Sequence, residues 1–308
     1  MKLAFFGSPD FAVPSLESLV RSRHDIAAVV TQPDRPKGRG LKTVASPVTQ
    51  VARKHGLDVL QPERASTPEF VQKLRAIAPD LIVVVAYGEI LGLELLELPK
   101  HGAVNLHASL LPKYRGSAPI QAAVLNGDGA TGVTVIRMDE GMDTGDILAQ
   151  AEVPIDEDDT AGTLHDRLAR IGADLLTETV ERIASGTVTA RRQDHRLATY
   201  TNKLRKEDGL VNWNMRTERV HNFVRAMNPW PLAHTRGGRF RIWKTSMPRD
   251  YMGQAEPGTV VCADERSLLV ATLDGAIEIE QLQVAGGKPM SSNEFLRGHP
   301  LQLGERFE

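Results

Sequence analysis

The chain has 308 residues, 41% hydrophobic and 25% charged, a balance that excludes a disordered, collagen-like or membrane-spanning polypeptide. Its longest aliphatic run, Leu81-Ile-Val-Val-Val-Ala86, is far short of the roughly 20 residues of a transmembrane helix, the apolar stretch after Met1-Lys2 is too brief for a signal peptide, and a single cysteine, Cys262, excludes internal disulfides and multi-cysteine zinc sites. The 37 basic and 39 acidic residues sum to −2, yet residues 203–249 alone carry 11 basic and 3 acidic side chains, a local excess of +8 inside an otherwise acidic chain, and local charge rather than the total attracts a polyanion.

Short apolar strands alternate with helical patterns through the first half. Residues 2–6 and 26–30 read as strands flanking a helix with Pro14 in its first turn. Ser46-Pro47 opens a helix carrying Val48, Val51 and Ala52 and stopped at Gly56, and Thr67-Pro68-Glu69 repeats that start before Phe70, Val71, Leu74 and Ile77. Residues 81–86 form a continuous apolar strand of the kind parallel sheets bury on both faces. Further strands are expected at 103–107, 132–138 and 147–153, and a long helix from Thr160 to Gly186 with Leu164, Leu168, Ile171, Leu175 and Ile183 on its apolar stripe. The alternation predicts an α/β fold with a doubly wound, mostly parallel, Rossmann-like sheet.

The pattern changes beyond residue 188. Residues 189–206 are polar and basic and read as a linker. A helix follows, with Val220, Phe223, Val224 and Met227 on one face, stopped by Asn228-Pro-Trp-Pro231. Short strands at 239–244, 258–262, 268–272 and 276–283 suggest a small β-barrel of the oligonucleotide-binding (OB-like) type. The expected division is a catalytic domain at 1–188, a linker at 189–206 and a barrel domain at 207–308.

Ligands of open α/β sheets sit at the carboxyl ends of strands, which directs the search for chemistry. The turn Gly7-Ser-Pro-Asp-Phe-Ala12 has one glycine where a dinucleotide fingerprint needs three, so a Rossmann oxidoreductase is disfavoured. In Ala103-Val-Asn-Leu-His107, Asn105 and His107 share one strand face, and Val104 and Leu106 the other. Two polar side chains at the end of a buried strand point to a site; the alternative is a pair of satisfied polar core residues. The acidic turn Asp139-Glu-Gly-Met-Asp-Thr-Gly-Asp146 also follows a strand, within a span of nine acids and one arginine at 137–159, most of which must be solvated. No metal-ligand spacing, G-x-S-x-G elbow or Walker loop occurs, so no catalytic metal is expected.

Asn, His and Asp together suit transfer of an acyl group to an amine with no covalent enzyme intermediate. An amide N–H and a histidine proton stabilise the developing oxyanion, and a carboxylate orients the histidine and helps collect the proton that the amine sheds.

Three runs then carry a resemblance: Asn105-Leu-His107, Ser109-Leu-Leu-Pro112 and Gly141-Met-Asp-Thr-Gly145. With Gly7–Ala12, Thr31-Gln-Pro-Asp-Arg-Pro36, Val83-Val-Val-Ala-Tyr-Gly88, the stretch 107–121, and Asn228-Pro-Trp-Pro231 with Trp243-Lys244, the chain resembles the 10-formyltetrahydrofolate-dependent formyltransferases over both domains. The resemblance implies that Asn105, His107 and Asp143 are catalytic and that Ser109, Leu110, Leu111 and Pro112 line the site of the formyl donor, 10-formyltetrahydrofolate. Main chain near 85–88 and the turn at 139–143 are implied as further donor contacts.

Within the family the resemblance favours methionyl-initiator tRNA as acceptor, the rival being a nucleotide-linked amino sugar. Relatives acting on glycinamide ribonucleotide are shorter and lack the second domain. The loop Asp34-Arg-Pro-Lys-Gly-Arg-Gly-Leu-Lys-Thr43, with four basic residues and one acid, matches the family's acceptor-stem loop. Arg35, Lys37, Arg39 and Lys42, with Lys203 and Lys206 from the basic block, are the implied tRNA contacts; solvated basic surface is the alternative for each. An RNA-binding module with an inactive α/β domain is the alternative from another class. A monomer, without membrane association, in a bacterial cytoplasm is expected.

Overall fold

The computed structural model of the chain describes residues 1–37, 42–248, 251, 253 and 255–307. It divides into two compact units: Met1–Gly116 with Ala130–Pro154 and His165–Thr201, and Ser117–Gly129 with Ile155–Leu164 and Asn202–Glu308. Against the division expected at residue 188, two stretches inside the first half, 117–129 and 155–164, group with the second unit.

In chain order the elements up to residue 201 are β1 (Lys2–Gly7), α1 (Val13–Arg21), β2 (Asp25–Val30), β3 (Arg35–Lys37), β4 (Lys42–Val44), α2 (Pro47–Lys54), β5 (Val59–Leu60), α3 (Pro68–Ile77), β6 (Leu81–Val85), α4 (Leu93–Leu96), β7 (Ala103–His107), β8 (Arg115–Gly116), α5 (Pro119–Asn126), β9 (Ala130–Arg137), β10 (Ile147–Pro154), α6 (Ala161–Ala184) and β11 (Tyr200–Thr201). The first unit holds a seven-stranded sheet in the order β10-β9-β7-β6-β1-β2-β5. Strands β1, β2, β5, β6 and β7 are parallel, while β9 runs antiparallel to β7 and β10 to β9. The five residues of β6 are all buried, as its unbroken aliphatic sequence requires of a strand covered on both faces.

The starts and stops of the helices follow local chemistry. Ser46 caps α2 with its side chain, accepting from the N–H of Thr49 at 3.1 Å. Thr67 occupies the equivalent place before α3 without a side-chain cap bond, and α3 ends at Ala78, left-handed at φ 50°, before Pro79. The long helix α6 shows a shift in its stripe. Leu164, Leu168, Leu176 and Val180 are fully buried, whereas Ile171 and Leu175 are half-buried. The core row advances by fours through Gly172, where a Cβ would stand 2.8 Å from a methyl of Leu106. Hydrophobic periodicity passes over that position because glycine adds no apolar side chain.

Strand order reverses between β1 and β6, the switch point at which open α/β sheets bind ligands. Gly7 at the end of β1 pairs with Val85 at the end of β6, and a Cβ on Gly7 would lie 2.8 Å from the Val85 carbonyl oxygen and 2.9 Å from the Cβ of Ala12. Only glycine permits this close approach.

The second unit holds α5, α7 (Thr217–Met227) and α8 (Ser292–Gly298) with strands β12 (Ala233–His234), β13 (Phe240–Ser246), β14 (Val260–Ala263), β15 (Leu268–Ala271), β16 (Ala276–Val284) and β17 (Met290–Ser291). They form an antiparallel sheet, β12-β13-β16-β15-β14, with β17 beside β16. Both sheet edges are covered: the N–H of Val211 donates to the carbonyl of His234 beside β12, and that of Val260 in β14 donates to the carbonyl of Glu305. Phe307 stacks on Phe240 of β13 at 4.6 Å between centroids and meets Trp213 edge-on, so the C-terminal segment clasps the sheet. Helix α5 belongs here because it packs against α7, where Arg219 donates to the carbonyl of Leu125. Among the described residues no helix is long and apolar enough to cross a membrane.

Candidate active site

The polar face of β7 leads to the site. Leu106 turns toward α6 at Gly172, and Asn105 and His107 occupy the alternate positions of the strand. Asp143, from the turn between β9 and β10, reaches both. Its Oδ1 accepts from the side-chain amide of Asn105 at 3.4 Å, and its Oδ2 lies 3.5 Å from Nδ1 of His107. Oδ2 also accepts a 2.8 Å hydrogen bond from the backbone N–H of Gly116.

His107 is buried, and its Nε2 lies 2.9 Å from the carbonyl oxygen of Tyr114. A carbonyl only accepts, so Nε2 donates, and Nδ1 faces a carboxylate. Both ring nitrogens thus face acceptors. The sequence reading brought Asn105, His107 and Asp143 together, and the structure places them in one cluster.

Asp143 adopts φ 54°, a left-handed conformation uncommon for a residue with a Cβ. The turn holding it is tight: Asp139 Oδ1 accepts from the N–H of Gly141 at 3.1 Å and the hydroxyl of Thr144 at 2.6 Å. A Cβ on Gly145 would overlap the carbonyl oxygen of Arg137, so that position also requires glycine.

Residues 109–112 run past this cluster and are pinned from below. Thr134 of β9 donates through its hydroxyl to the carbonyl of Ser109 at 2.6 Å and accepts from the N–H of Leu111 at 3.2 Å. Gln150 of β10 donates to the carbonyl of Leu111 at 2.9 Å, and the Ser109 hydroxyl donates to the carbonyl of Lys113 at 2.6 Å. Leu111 is buried and the Leu111–Pro112 peptide is cis. The segment 85–88 lies at the end of neighbouring β6, with Ala86 at φ 48° and Gly88 at φ 88°. There Tyr87 is buried, which pushes its phenol pKa up, with the Glu89 charge adding to the rise.

Two descriptions of known sequence families match the chain: "Formyl transferase" over residues 1–180 and "Formyl transferase, C-terminal domain" over 203–300. The chain belongs to the formyl transferase family. It is 47% identical to the methionyl-tRNA formyltransferase of Acetivibrio thermocellus over 307 residues, covering 99% of each chain. It is also 47% identical to the methionyl-tRNA formyltransferase of Symbiobacterium thermophilum, covering 100% of this chain and 95% of the relative. Among solved structures, a sugar 3N-formyl transferase crystallised with dTDP and 5-N-formyl-THF shares the fold at 21% identity, with TM-score 0.68 over 91% of this chain and 97% of that one. A phosphoribosylglycinamide formyltransferase from Bacillus halodurans matches 60% of this chain and 96% of its own, at 28% identity and TM-score 0.51.

In this formyl transferase the basic candidates fall in two places. Arg35 is exposed on β3; Lys37 and Lys42 are paired across the β3–β4 ladder, and Arg39 lies outside the described residues. Asp34, the one acid of that loop, accepts from Gln61 at 2.7 Å and lies 3.9 Å from Arg53. In the second unit Lys203 and Lys206 are exposed and make no salt bridge among the described residues. Much of the basic block is occupied internally: Lys244 pairs with Glu280 at 2.8 Å and Arg239 with Glu305 at 3.1 Å, and Arg225 donates to the carbonyl of Asp159 at 3.0 Å. The +8 excess therefore overstates the charge open to a polyanion.

Several contributors escaped the sequence reading. The Tyr114 carbonyl and the Gly116 N–H act through backbone, which side-chain patterns do not reveal. Thr134 was findable as a polar residue inside an apolar strand. Gln193 lies in the stretch read as a linker, yet this stretch is ordered against the first unit: Ile147 and Arg191 exchange backbone hydrogen bonds of 2.8 Å, and β11 pairs with β8. Among the described residues no group of three or more His, Cys, Asp or Glu side chains is arranged to hold a metal.

Proposed function

We propose that the chain transfers the formyl group of 10-formyltetrahydrofolate to the α-amino group of methionyl-initiator tRNA. The observation that carries this reading is identity of 43–47% over essentially the whole chain to relatives named methionyl-tRNA formyltransferase. Resemblance to a sugar formyl transferase stands at 21%, which speaks for the fold and not for the acceptor.

10-Formyltetrahydrofolate supplies the formyl carbon and leaves as tetrahydrofolate. The donor set fits an acyl transfer: an amide N–H and an imidazole, each within 3.5 Å of one carboxylate. Asn105 and His107 polarise the formyl oxygen as negative charge builds on it, Asn105 through its side-chain N–H and His107 as a ring dipole held beside it, fixed groups being worth most where charge develops. The acceptor amine attacks as the neutral base, and an α-amino group titrates near pH 7.7–8.0, so a strong base is unnecessary. Asp143 orients His107 through Nδ1 and takes part in removing the proton that the amine loses on attack. Ser109, Leu110, Leu111 and Pro112, pinned by Thr134 and Gln150, form the wall against which the donor lies, with main chain of 85–88 and 139–143 beside it.

The tRNA is gripped by Arg35, Lys37, Arg39 and Lys42 and by Lys203 and Lys206 of the basic block. The chain acts as a monomer in the bacterial cytoplasm, without a membrane partner; its relatives are bacterial. We infer the same division as from the sequence, a catalytic domain followed by an RNA-binding one. The test uses a donor labelled in the formyl carbon, with label recovered as N-formylmethionine after hydrolysis of the tRNA ester. Label remaining on the folate would refute the reading.

A further inference from the structure

We infer that Gln193, locked in place by Arg115, is a positioning residue for formyl transfer, acting through the backbone of Asp143; this rests on the reading that Asp143 takes part in the reaction. Arg115 is 1% exposed and Gln193 5%. The guanidinium donates twice to the Gln193 amide oxygen, from Nη2 at 2.7 Å and from Nε at 3.2 Å. Its remaining contacts are the Tyr200 hydroxyl at 3.2 Å, Nδ1 of His195 at 3.1 Å and the face of the Tyr200 ring. Among the described residues no carboxylate pairs with it. A buried cation held only by neutral acceptors is costly to keep, so its presence calls for a use other than stability.

That use is visible in the amide. A guanidinium has donors only, so Oε1 of Gln193 must face it, and the NH₂ group must point the other way. Both N–H bonds are then used: Nε2 donates to the carbonyl of Asp143 at 2.8 Å and to the carbonyl of Gly145 at 2.7 Å. Reversing the amide would set NH₂ against donors and oxygen against two carbonyls. The orientation is therefore dictated by charge, and the amide clamps the tight turn at the residue holding φ 54°. Such a backbone conformation persists only where its surroundings over-determine it.

The same dipeptide works from both sides. Arg115 fixes the turn from behind through Gln193, and the next residue, Gly116, receives the Asp143 carboxylate in front through its N–H at 2.8 Å. Positions 115 and 116 thus set both the backbone and the side chain of Asp143 relative to His107.

Two substitutions separate positioning from stability. Gln193→Glu keeps the acceptor for Arg115, strengthening that pair, but removes both donors to the turn. It is expected to fold, the stronger Arg115 pair offsetting part of the cost of an oxygen set against two carbonyls, while kcat falls about 100-fold with both KM values within a few-fold, the loss typical of a misplaced reacting group. Gln193→Met removes the donors without adding charge and is expected to lose kcat alike. Three results would overturn the inference: native kcat in Gln193→Glu while Asp143→Ala is inactive, native kcat in Gln193→Met, or losses confined to KM and stability. Were Asp143→Ala itself to keep native turnover, the reading of the site would fall first, and the positioning role with it.

Discussion

The backbone N–H of Gly116 donates to Oδ2 of Asp143 over 2.8 Å, the same oxygen that lies 3.5 Å from Nδ1 of His107. A carboxylate oxygen shared between a fixed amide and a histidine keeps its place when the histidine gives or takes a proton. Positive φ at Asp143, a Gly145 that no larger residue can replace, and the hydrogen bond from Gly116 all serve that placement.

Asp143→Asn tests the charge rather than the shape. The amide oxygen can still accept from Gly116, but it neither stabilises a charged His107 nor collects a proton. We expect kcat to fall by about 10²- to 10⁴-fold, the range of general acid–base contributions, with KM for tRNA changed little. Steady-state kinetics over both substrates checks this, and a loss confined to KM would contradict it.

Lys203→Ala with Lys206→Ala should weaken tRNA binding without touching the chemistry. Each phosphate contact steepens the dependence of log K on log salt by somewhat less than one unit. The double variant should therefore show a slope shallower by between about one and two units, a raised KM for tRNA and an unchanged kcat. Binding isotherms at several salt concentrations measure it; an unaltered slope would remove these two lysines from the interface.

Much of the fold was legible because burial imposes pattern. The strand at 81–86 is apolar throughout, and the alternation at 103–107 by itself puts Asn105 and His107 on one face. What was not legible acts without pattern. The β3–β4 and β8–β11 pairings are two or three residues long, too short to show a period. Gly172 hides on the stripe of α6, and Gln193 is a single polar residue in a polar stretch. Helix α5 goes unread in the sequence, and its assignment to the second unit depends on packing against α7, nearly 100 residues later.

Phe307→Ala should unfasten the second unit. Phe307 is 1% exposed and stacked on Phe240, and removing a buried phenylalanine costs about 3–5 kcal/mol. Urea unfolding followed by the fluorescence of neighbouring Trp213 reports the loss; a change below about 1 kcal/mol would mean that the clasp contributes little.

Stability should fall on mild acidification. Burial holds the pKa of His221 below its ordinary value, with the charge of Arg225 adding, and burial lowers that of His24 too. The unfolded chain takes up these protons near pH 6.5 and the folded chain only at lower pH. The stabilising contribution is thus complete above about pH 6.5 and is lost as the pH drops from there toward the folded-state values. His221→Gln should flatten part of that decline in unfolding curves recorded between pH 7 and 5. An equally steep decline in the variant would contradict the assignment.

The central claim concerns the acceptor. The direct measurement is kcat/KM for methionyl-initiator tRNA and for a nucleotide-linked amino sugar, with one preparation of the protein and 10-formyltetrahydrofolate at saturation. The account predicts turnover on the tRNA and at most trace turnover on the sugar. Preference for the sugar, or RNA binding with no consumption of the formyl donor, would contradict it.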